Sequence, residues 1–344
     1  MKKKSLNVKK TNPSNINNFL NQSFINSIFK KFERKLNPKE SYIVAVSGGP
    51  DSLALAFLAK CYENKYNSKI YYYHIDHNLR AESSEEAAKV VKILKKINVR
   101  CKVLKLKGKK PKSNIQSNAR LKRYSLLIGE CFKVKSKNIL LAHHNDDVGE
   151  NFFIRMTRGS GLKGLVSMGE KSKFNKINQI RPFIDLKKKE LEKISLFVFR
   201  DYIKDRSNSD NSFKRIRIRN LMKNLHKEGL DDKKLNLTIQ NLKNANNALE
   251  YYSNKNIEDN SYFNVYDKKV TLNKKFFSQP NEIILRSLTK LIQKIGNKYY
   301  PPRGKSACNL IDQLKICSNV KNMTLGGCLF KKVNETIIIS QERG

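Results

Sequence analysis

The sequence predicts an α/β protein: a parallel sheet with helices on both faces, followed by a smaller helical and α+β region. Two observations lead there. Between residues 41 and 157, short β-branched runs alternate with stretches of helical spacing, the pattern of strands joined by crossover helices. Three polar clusters, Ser47–Ser52, His74–Arg80 and His143–Asp147, each lie at or just past the carboxyl end of a proposed strand. That edge is where open α/β sheets bind ligands.

Residues 1 to about 18 are rich in Lys, Asn and Ser without apolar periodicity, which predicts a flexible basic tail. Ile25, Ile28, Phe29, Phe32 and Leu36 recur three or four apart and predict a lead helix over Phe19–Leu36. Strands are then expected at Tyr42–Val46, Ile70–Ile75, Cys101–Leu106 and Asn138–Ala142. Helices are expected at Ser52–Tyr62, Glu82–Ile97, Asn114–Cys131 and Asp146–Thr157. Gly159–Gly169 carries four glycines and predicts a mobile loop over the site. Arg181-Pro182-Phe183 predicts a stiffer turn, Leu186–Phe199 a helix, Asp205–Asn211 a turn, and Ser212–His226 a very basic helix. Gly229 breaks that helix, and Asp231-Asp232 can cap the next, over Lys233–Asn254. Beyond it come a strand pair around Asp267-Lys268, a helix at Glu282–Ile295 and a β-containing end over Met323–Gln341. The expected organisation is a tail and lead helix (1–38), a main domain (39–228) and a smaller carboxyl-terminal region (229–344).

The 344 residues carry 70 Lys+Arg against 30 Asp+Glu, a net charge of +40. Such an excess favours a polyanionic partner, with nucleic acid foremost. A lysine-rich codon usage would inflate the same number. Hydrophobic content of 39% suits a globular chain, and no apolar run approaches the roughly 20 residues of a membrane helix. The six cysteines form no Cys-x-x-Cys pair. This argues against a zinc ribbon, a cysteine-ligated iron–sulfur cluster and a dithiol redox site, and fits a reducing cytoplasm.

Ser47-Gly48-Gly49-Pro50-Asp51-Ser52 is a strand-to-helix turn. Adjacent glycines allow a sharp bend and close approach of a ligand. The N–H groups and dipole of the following helix favour an anion. It lacks the Gly-Lys-Ser/Thr of a Walker loop. His74-Ile75-Asp76-His77 could ligate a metal or form a hydrogen-bonded turn that shapes a pocket. In His143-His144-Asn145-Asp146-Asp147-Val148-Gly149-Glu150, Asp147 and Glu150 share a helical face. They could bind Mg²⁺ beside nucleotide phosphates or a cationic amine, while Asn145 or Asp146 suits an N-cap. Arg120, Lys122 and Arg123 crowd one turn and are either phosphate contacts or a solvated face. Arg158, beside Gly159-Ser160-Gly161, is either a phosphate contact or part of a glycine-closed helix end.

Together these motifs resemble the N-type ATP pyrophosphatases, and within them the tRNA(Ile)-lysidine synthetase family. The resemblance rests on the Ser47–Ser52 loop, His74-x-Asp76-His77-x-Leu79-Arg80, Ala119-Arg120-x-x-Arg123-Tyr124, the His143–Glu150 run and Arg158–Leu162. It continues in Ser207-Asn208-x-Asp210 and Arg215-x-Arg217-Ile218-Arg219. It covers about residues 40 to 220 well and the remainder weakly, through Tyr300–Arg303 and Gly326-Gly327. Val148, Asn151 and Ile216 depart from the usual residues of these motifs.

The resemblance implies the adenine-nucleotide α-hydrolase-like PP-loop fold, with a carboxyl-terminal tRNA-recognition region. It implies a cytoplasmic ligase with Mg²⁺, ATP, free L-lysine and the CAU-anticodon isoleucine tRNA as cofactor and substrates, and a homodimer as one candidate assembly. The expected product is lysidine, with release of AMP and PPi. Ser47, Gly48, Gly49, Pro50, Asp51, Ser52, His74 and Arg123 would bind ATP. Asp51, Arg120, His143, Asp147 and Glu150 would be catalytic, with Asp51 and Asp147 also serving the metal. Arg158, Arg215, Arg217 and Arg219 would meet tRNA. Two other functions use parts of the same pattern: a tRNA thiolase, which the missing cysteine pairs disfavour, and a non-enzymatic RNA-binding protein, which the intact glycine loop and acidic pair disfavour.

Overall fold

In the computed structural model, residues 16–76, 82–106, 115–174, 176–203, 212–264, 269–298, 301–316 and 323–342 are described. The chain forms two compact units, Met1–Leu235 and Asn236–Gly344.

The first unit opens with a short 3-10 turn at Ile16–Asn21 and helix α1 (Ser23–Glu33), which buries Ile25, Ile28, Phe29 and Phe32 on one face. Then follow β1 (Tyr42–Ala45), α2 (Pro50–Tyr66), β2 (Ile70–Asp76), α3 (Ser83–Lys95), β3 (Cys101–Lys105), α4 (Ile115–Lys133), β4 (Asn138–Leu140) and α5 (Asn145–Met156). Each predicted strand and helix of this stretch is present, with ends shifted by a few residues.

The rest of the unit departs from expectation. Gly159–Gly169 is not simply a loop, because it holds a short helix α6 (Leu162–Leu165). An unpredicted antiparallel pair follows, β5 (Lys171–Phe174) and β6 (Ile177–Ile180). Next come α7 (Lys188–Phe199) and the basic α8 (Lys214–Lys227). The Asp205–Asn211 turn, with Ser207, Asn208 and Asp210, lies outside the described residues, as do His77–Arg80 and the side chain of Arg120.

The sheet runs β3-β2-β1-β4-β6-β5. All its pairings are parallel except β5 with β6. Successive β1 residues point to opposite faces, as a pleated strand requires. Tyr42 and Val44 join one core with α1, α2, α3 and α7. Ile43 joins another with Tyr124, Leu127, Ile128 and Cys131 of α4. Strand order reverses direction at β1, since the chain leaves it for β2 and β3 on one side and returns to β4 on the other. A crevice at the carboxyl ends of β1 and β4 follows from that reversal.

Helix α9 (Asp232–Asn260) carries the chain into the second unit, whose strands are β7 (Ser261–Asn264), β8 (Lys269–Leu272), β9 (Met323–Leu325), β10 (Cys328–Val333) and β11 (Thr336–Gln341). They form an antiparallel sheet in the order β7-β8-β11-β10-β9. Alternate residues Val270, Leu272, Phe330, Ile337 and Ile339 pack with Ile284, Leu288 and Ile292 of α10 (Asn281–Ile295) and Leu310 and Leu314 of α11 (Gly304–Ile316). Helix α11 was not expected from the sequence. Gly326 and Gly327 both take positive φ, 64° and 79°, in the tight β9–β10 turn, a conformation that favours glycine pairs.

Candidate active site

The Ser47–Ser52 loop is built around the Ser52 hydroxyl. Its Oγ accepts from the Ser47 and Gly48 backbone N–H groups at 3.1 and 3.0 Å and donates to the Gly49 carbonyl at 2.9 Å. Ser47 Oγ donates to it as well, at 3.1 Å. Ser52 is therefore buried and shapes the loop from within, whereas Ser47 stays exposed. Gly48 takes φ +93°, and a Cβ there would stand 2.7 Å from Val90 and 3.0 Å from Ile203. Its carbonyl accepts from the Ile203 N–H at 3.0 Å. Only glycine satisfies both the backbone and the space. Gly49 caps α2 and Pro50 starts it, so the first N–H groups of the helix face the crevice end of the sheet, an arrangement that holds anions.

His74 braces this loop from the next strand. Its Nδ1 donates to the Val46 carbonyl at 2.8 Å, which fixes the tautomer, because a carbonyl can only accept. Burial lowers the pKa of His74 below the usual 6.5, outweighing the Val46 hydrogen bond and the nearby Asp76 charge. Asp76 is buried and accepts from Ser84 Oγ at 3.2 Å. Both side chains are thus held by protein partners at the end of β2.

The loop after β4 supplies the acidic half. His144, rather than Asn145 or Asp146, is the N-cap of α5. Its backbone N–H donates to Asp147 Oδ2 at 3.1 Å. The His144 imidazole sits between two carboxylates, with Nε2 3.6 Å from Asp51 and 3.5 Å from Asp147. Burial alone would lower its pKa, but Asp51, Asp147 and Asp146 raise it above 6.5. Burial likewise works to raise the Asp147 pKa, and His144, Arg215 and His143 instead hold it below the ordinary carboxylate value. His143 is half-buried beside the same cluster.

Helix α8 brings two arginines onto this acidic pair. Arg215 Nη2 donates to Asp147 Oδ1 at 2.6 Å, and its Nε donates to Glu150 Oε2. Arg219 Nε donates to the other Glu150 oxygen. Arg215 and Arg219 are four apart, and so face together toward Asp147 and Glu150, which are three apart on α5. Gly149 permits the close approach, since a Cβ there would lie 2.8 Å from Met222 of α8. The sequence reading placed both arginines on tRNA, whereas here they pair with the carboxylates. The complementary spacing of the two helices was the signal available for this pairing.

The remaining expected site residues are more scattered. Arg217 is exposed and donates to the Ser212 carbonyl at 2.7 Å. Arg158 is exposed at the end of α5, where Gly159 takes φ +66° and closes the helix. Arg123 is half-buried on α4, its guanidinium 5.7 Å from the Tyr124 ring centre. Arg181, unassigned from sequence, is buried. It donates to the Gly169 carbonyl, Ser172 Oγ and Gln179 Oε1, each at 3.0 Å, tying the β5–β6 pair to the preceding glycine segment.

Asp51 bears on the metal. Its Oδ1 is buried without a hydrogen-bond partner. An orphaned carboxylate oxygen beside an anion-binding helix start suits Mg²⁺ accompanying a nucleotide triphosphate.

A glycine turn at a helix start, at the reversal point of a parallel sheet and facing an acidic cluster, defines an ATP-using PP-loop protein. The PP-loop domain family matches residues 18–225. More particularly, the chain belongs to the tRNA(Ile)-lysidine synthase family. It is 35% identical over 304 residues to the tRNA(Ile)-lysidine synthase of Wolbachia sp. subsp. Brugia malayi (strain TRS), covering 87% of this chain and 70% of that one. It is 36% identical over 305 residues to that of Wolbachia pipientis wMel, with the same coverage. Among solved structures it is similar to a U34-tRNA thiolase of Methanococcus maripaludis, with TM-score 0.55 and 21% identity, over 64% of this chain and 80% of that one. That likeness concerns the fold alone.

Proposed function

We propose that this chain joins L-lysine to C2 of the wobble cytidine of an isoleucine tRNA with a CAU anticodon, using ATP and releasing AMP and PPi. The observation that carries the reading is the His144 bridge between Asp51, at the nucleotide loop, and Asp147, in the acidic cluster. It sets an adenylating element beside an element able to receive an ammonium group. Membership of the tRNA(Ile)-lysidine synthase family supports the choice of tRNA and amine.

The reaction needs two displacements. O2 of the cytidine attacks the α-phosphorus of ATP, the bond to the bridging oxygen breaks, and PPi leaves. The ε-nitrogen of lysine then attacks C2, the C2–O bond breaks, AMP leaves with that oxygen, and the nitrogen sheds protons. No protein nucleophile is required, so positioning and charge placement do most of the work. The N–H groups at the start of α2, beyond those that Ser52 Oγ already accepts, hold the departing pyrophosphate. Asp51 would hold Mg²⁺, which when bound neutralises phosphate charge. Asp147 and Glu150 receive the lysine ammonium and can accept a proton from it. The wobble base lies in a single-stranded loop, so extruding it costs little.

Among the described residues no helix is long and apolar enough to cross a membrane, and action on cytoplasmic tRNA is part of this reading. Incubation of the chain with ATP, lysine and the cognate transcript, followed by nucleoside mass analysis, tests it. The expected result is cytidine converted to lysidine, with AMP release that depends on lysine. AMP release independent of lysine, or an unmodified cytidine, overturns it.

A further inference from the structure

The peptide between Gly48 and Gly49 is the part of the nucleotide loop that local sequence restrains least. Glycine on both sides leaves its plane free to turn, because neither residue has a Cβ to limit the flanking torsions. Either edge of that plane could face a ligand. A carbonyl would repel a phosphate there, whereas an N–H would bind one. The choice is made from outside the loop. The Gly48 carbonyl accepts the Ile203 backbone N–H at 3.0 Å. A trans peptide sets its carbonyl and its N–H on opposite edges, so the Gly49 N–H is directed away from Ile203. The Ser47 and Gly48 N–H groups are bound to Ser52 Oγ. Gly49, at the N-cap of α2, has no hydrogen-bond acceptor for its N–H among the described residues. It is therefore the first donor along the loop that is left for an anion.

Ile203 is itself held in place. Helix α7 ends at the buried Phe199, and three residues separate that anchor from Ile203. The side chains of Tyr202 and Ile203 pack against the core that α2 and α7 share. The Tyr202 hydroxyl donates to Glu192 Oε1, back on α7, at 2.8 Å. Ile203 Cδ1 closes one side of Gly48 and Val90 of α3 closes another. We infer that Ile203 is a positioning residue for the nucleotide loop: its backbone N–H fixes the Gly48–Gly49 peptide with the Gly49 N–H turned to the phosphates, and the Tyr202–Glu192 hydrogen bond steadies it from α7. The loop thus owes its donor edge to a residue about 150 positions downstream. This inference rests on the reading of Ser47–Ser52 as the nucleotide site, and not on the choice of tRNA or amine.

The test compares two variants of the full chain. Ile203→Ala and Ile203→Pro both lose the side-chain packing, but only proline also lacks the N–H. Calorimetry in Mg²⁺ buffer measures their binding of α,β-methylene ATP, whose α–β bridge cannot break, and of adenosine, which has no phosphate. Ile203→Pro is expected to bind α,β-methylene ATP about tenfold more weakly than Ile203→Ala, the effect of one hydrogen bond to a charged group. Adenosine affinity is expected to be the same in both. A merely structural role would lower both ligands together. Equal α,β-methylene ATP affinity in the two variants, or an equal loss for adenosine, overturns the inference. Should circular dichroism show Ile203→Pro unfolded, Tyr202→Phe decides. It is expected to weaken α,β-methylene ATP by about threefold, the low end for one hydrogen bond, with adenosine unchanged and no further loss on adding Glu192→Leu. An unchanged affinity in Tyr202→Phe, or additive losses in the double variant, then overturns it. Wild-type chain that binds no α,β-methylene ATP removes the nucleotide reading itself. Wild-type chain that binds it, with no difference between the variants, removes only the role of Ile203.

Discussion

The His144 imidazole lies 3.6 Å from the Asp51 carboxylate and joins the loop after β1 to the loop after β4. Asp51 thereby has one oxygen facing the His144 ring and the other buried without a partner. Asp51→Asn keeps the shape and removes the charge that both neighbours require. Its PPi release in the presence of tRNA should fall by roughly 10²-fold or more, the usual cost of one preorganised electrostatic group. Thermal unfolding should change little by comparison. Near-normal turnover in this variant would remove Asp51 from the site.

Ser52→Ala removes the acceptor of two loop N–H groups and the donor to Gly49. Leaving such groups unpaired in a buried turn costs about 1–3 kcal/mol. Denaturant titration should show that loss, and KM for ATP should rise because the loop no longer holds its curve. A loss of kcat with KM and stability unchanged would instead make Ser52 a direct participant in chemistry.

His74 and His144 should give opposite pH signatures. The His74 pKa is lowered below 6.5 by burial, so its contribution to stability is full above 6.5 and declines as pH falls toward the folded pKa. The His144 pKa is raised above 6.5, so its contribution is full below 6.5 and is lost as pH rises through the folded pKa. The destabilisation caused by His74→Gln should therefore shrink on the acid side, and that caused by His144→Gln on the alkaline side. Urea midpoints of both variants and wild type, measured either side of 6.5, check the two signs.

Glu150→Gln deletes the carboxylate that both Arg215 and Arg219 hold. The cost should be roughly 2 kcal/mol, below the range for fully buried pairs because both guanidiniums are partly exposed. Adenylation, read as PPi release, should survive better than lysine-dependent AMP release. Equal loss of both steps would contradict an amine-binding role for Glu150.

The +40 charge predicts strongly salt-dependent tRNA affinity, because each phosphate contact releases condensed counterions. A plot of log affinity against log salt should be a steep falling line. Arg217→Ala should make it shallower by about one unit, as expected for one lost phosphate contact. A flat plot would mark the lysine excess as compositional only.

The amino-terminal half was legible because its local signals agree. Tyr42–Val46 is apolar and β-branched, and the helices after it repeat with the right period. Strands β5 and β6 were not legible, since Lys171–Phe174 is a partly exposed edge strand without the alternation of a core strand. The buried position of Arg181 depends on that hairpin and was hidden with it. Ser52 reads in sequence as one more hydroxyl near phosphates, and its position at the third residue of α2 is what turns it inward. The site was legible as a list of residue types but not as a set of pairs. A basic helix naturally suggests RNA, and only the packing of α8 on α5 shows Arg215 and Arg219 turned toward carboxylates.

The pairing of β1 with β4, with Val44 opposite Leu140, has a consequence for how the enzyme comes into being. The nucleotide loop and the acidic cluster are distant in the chain and meet only when those two strands align. A ribosome delivers β1, β2 and β3 first, and they can pair among themselves before the other half of the site has been synthesised. Such long-range closure is among the slower steps of folding. The growing chain therefore carries a phosphate-binding turn well before it carries the groups that would direct chemistry from it, and competence arrives at one late event.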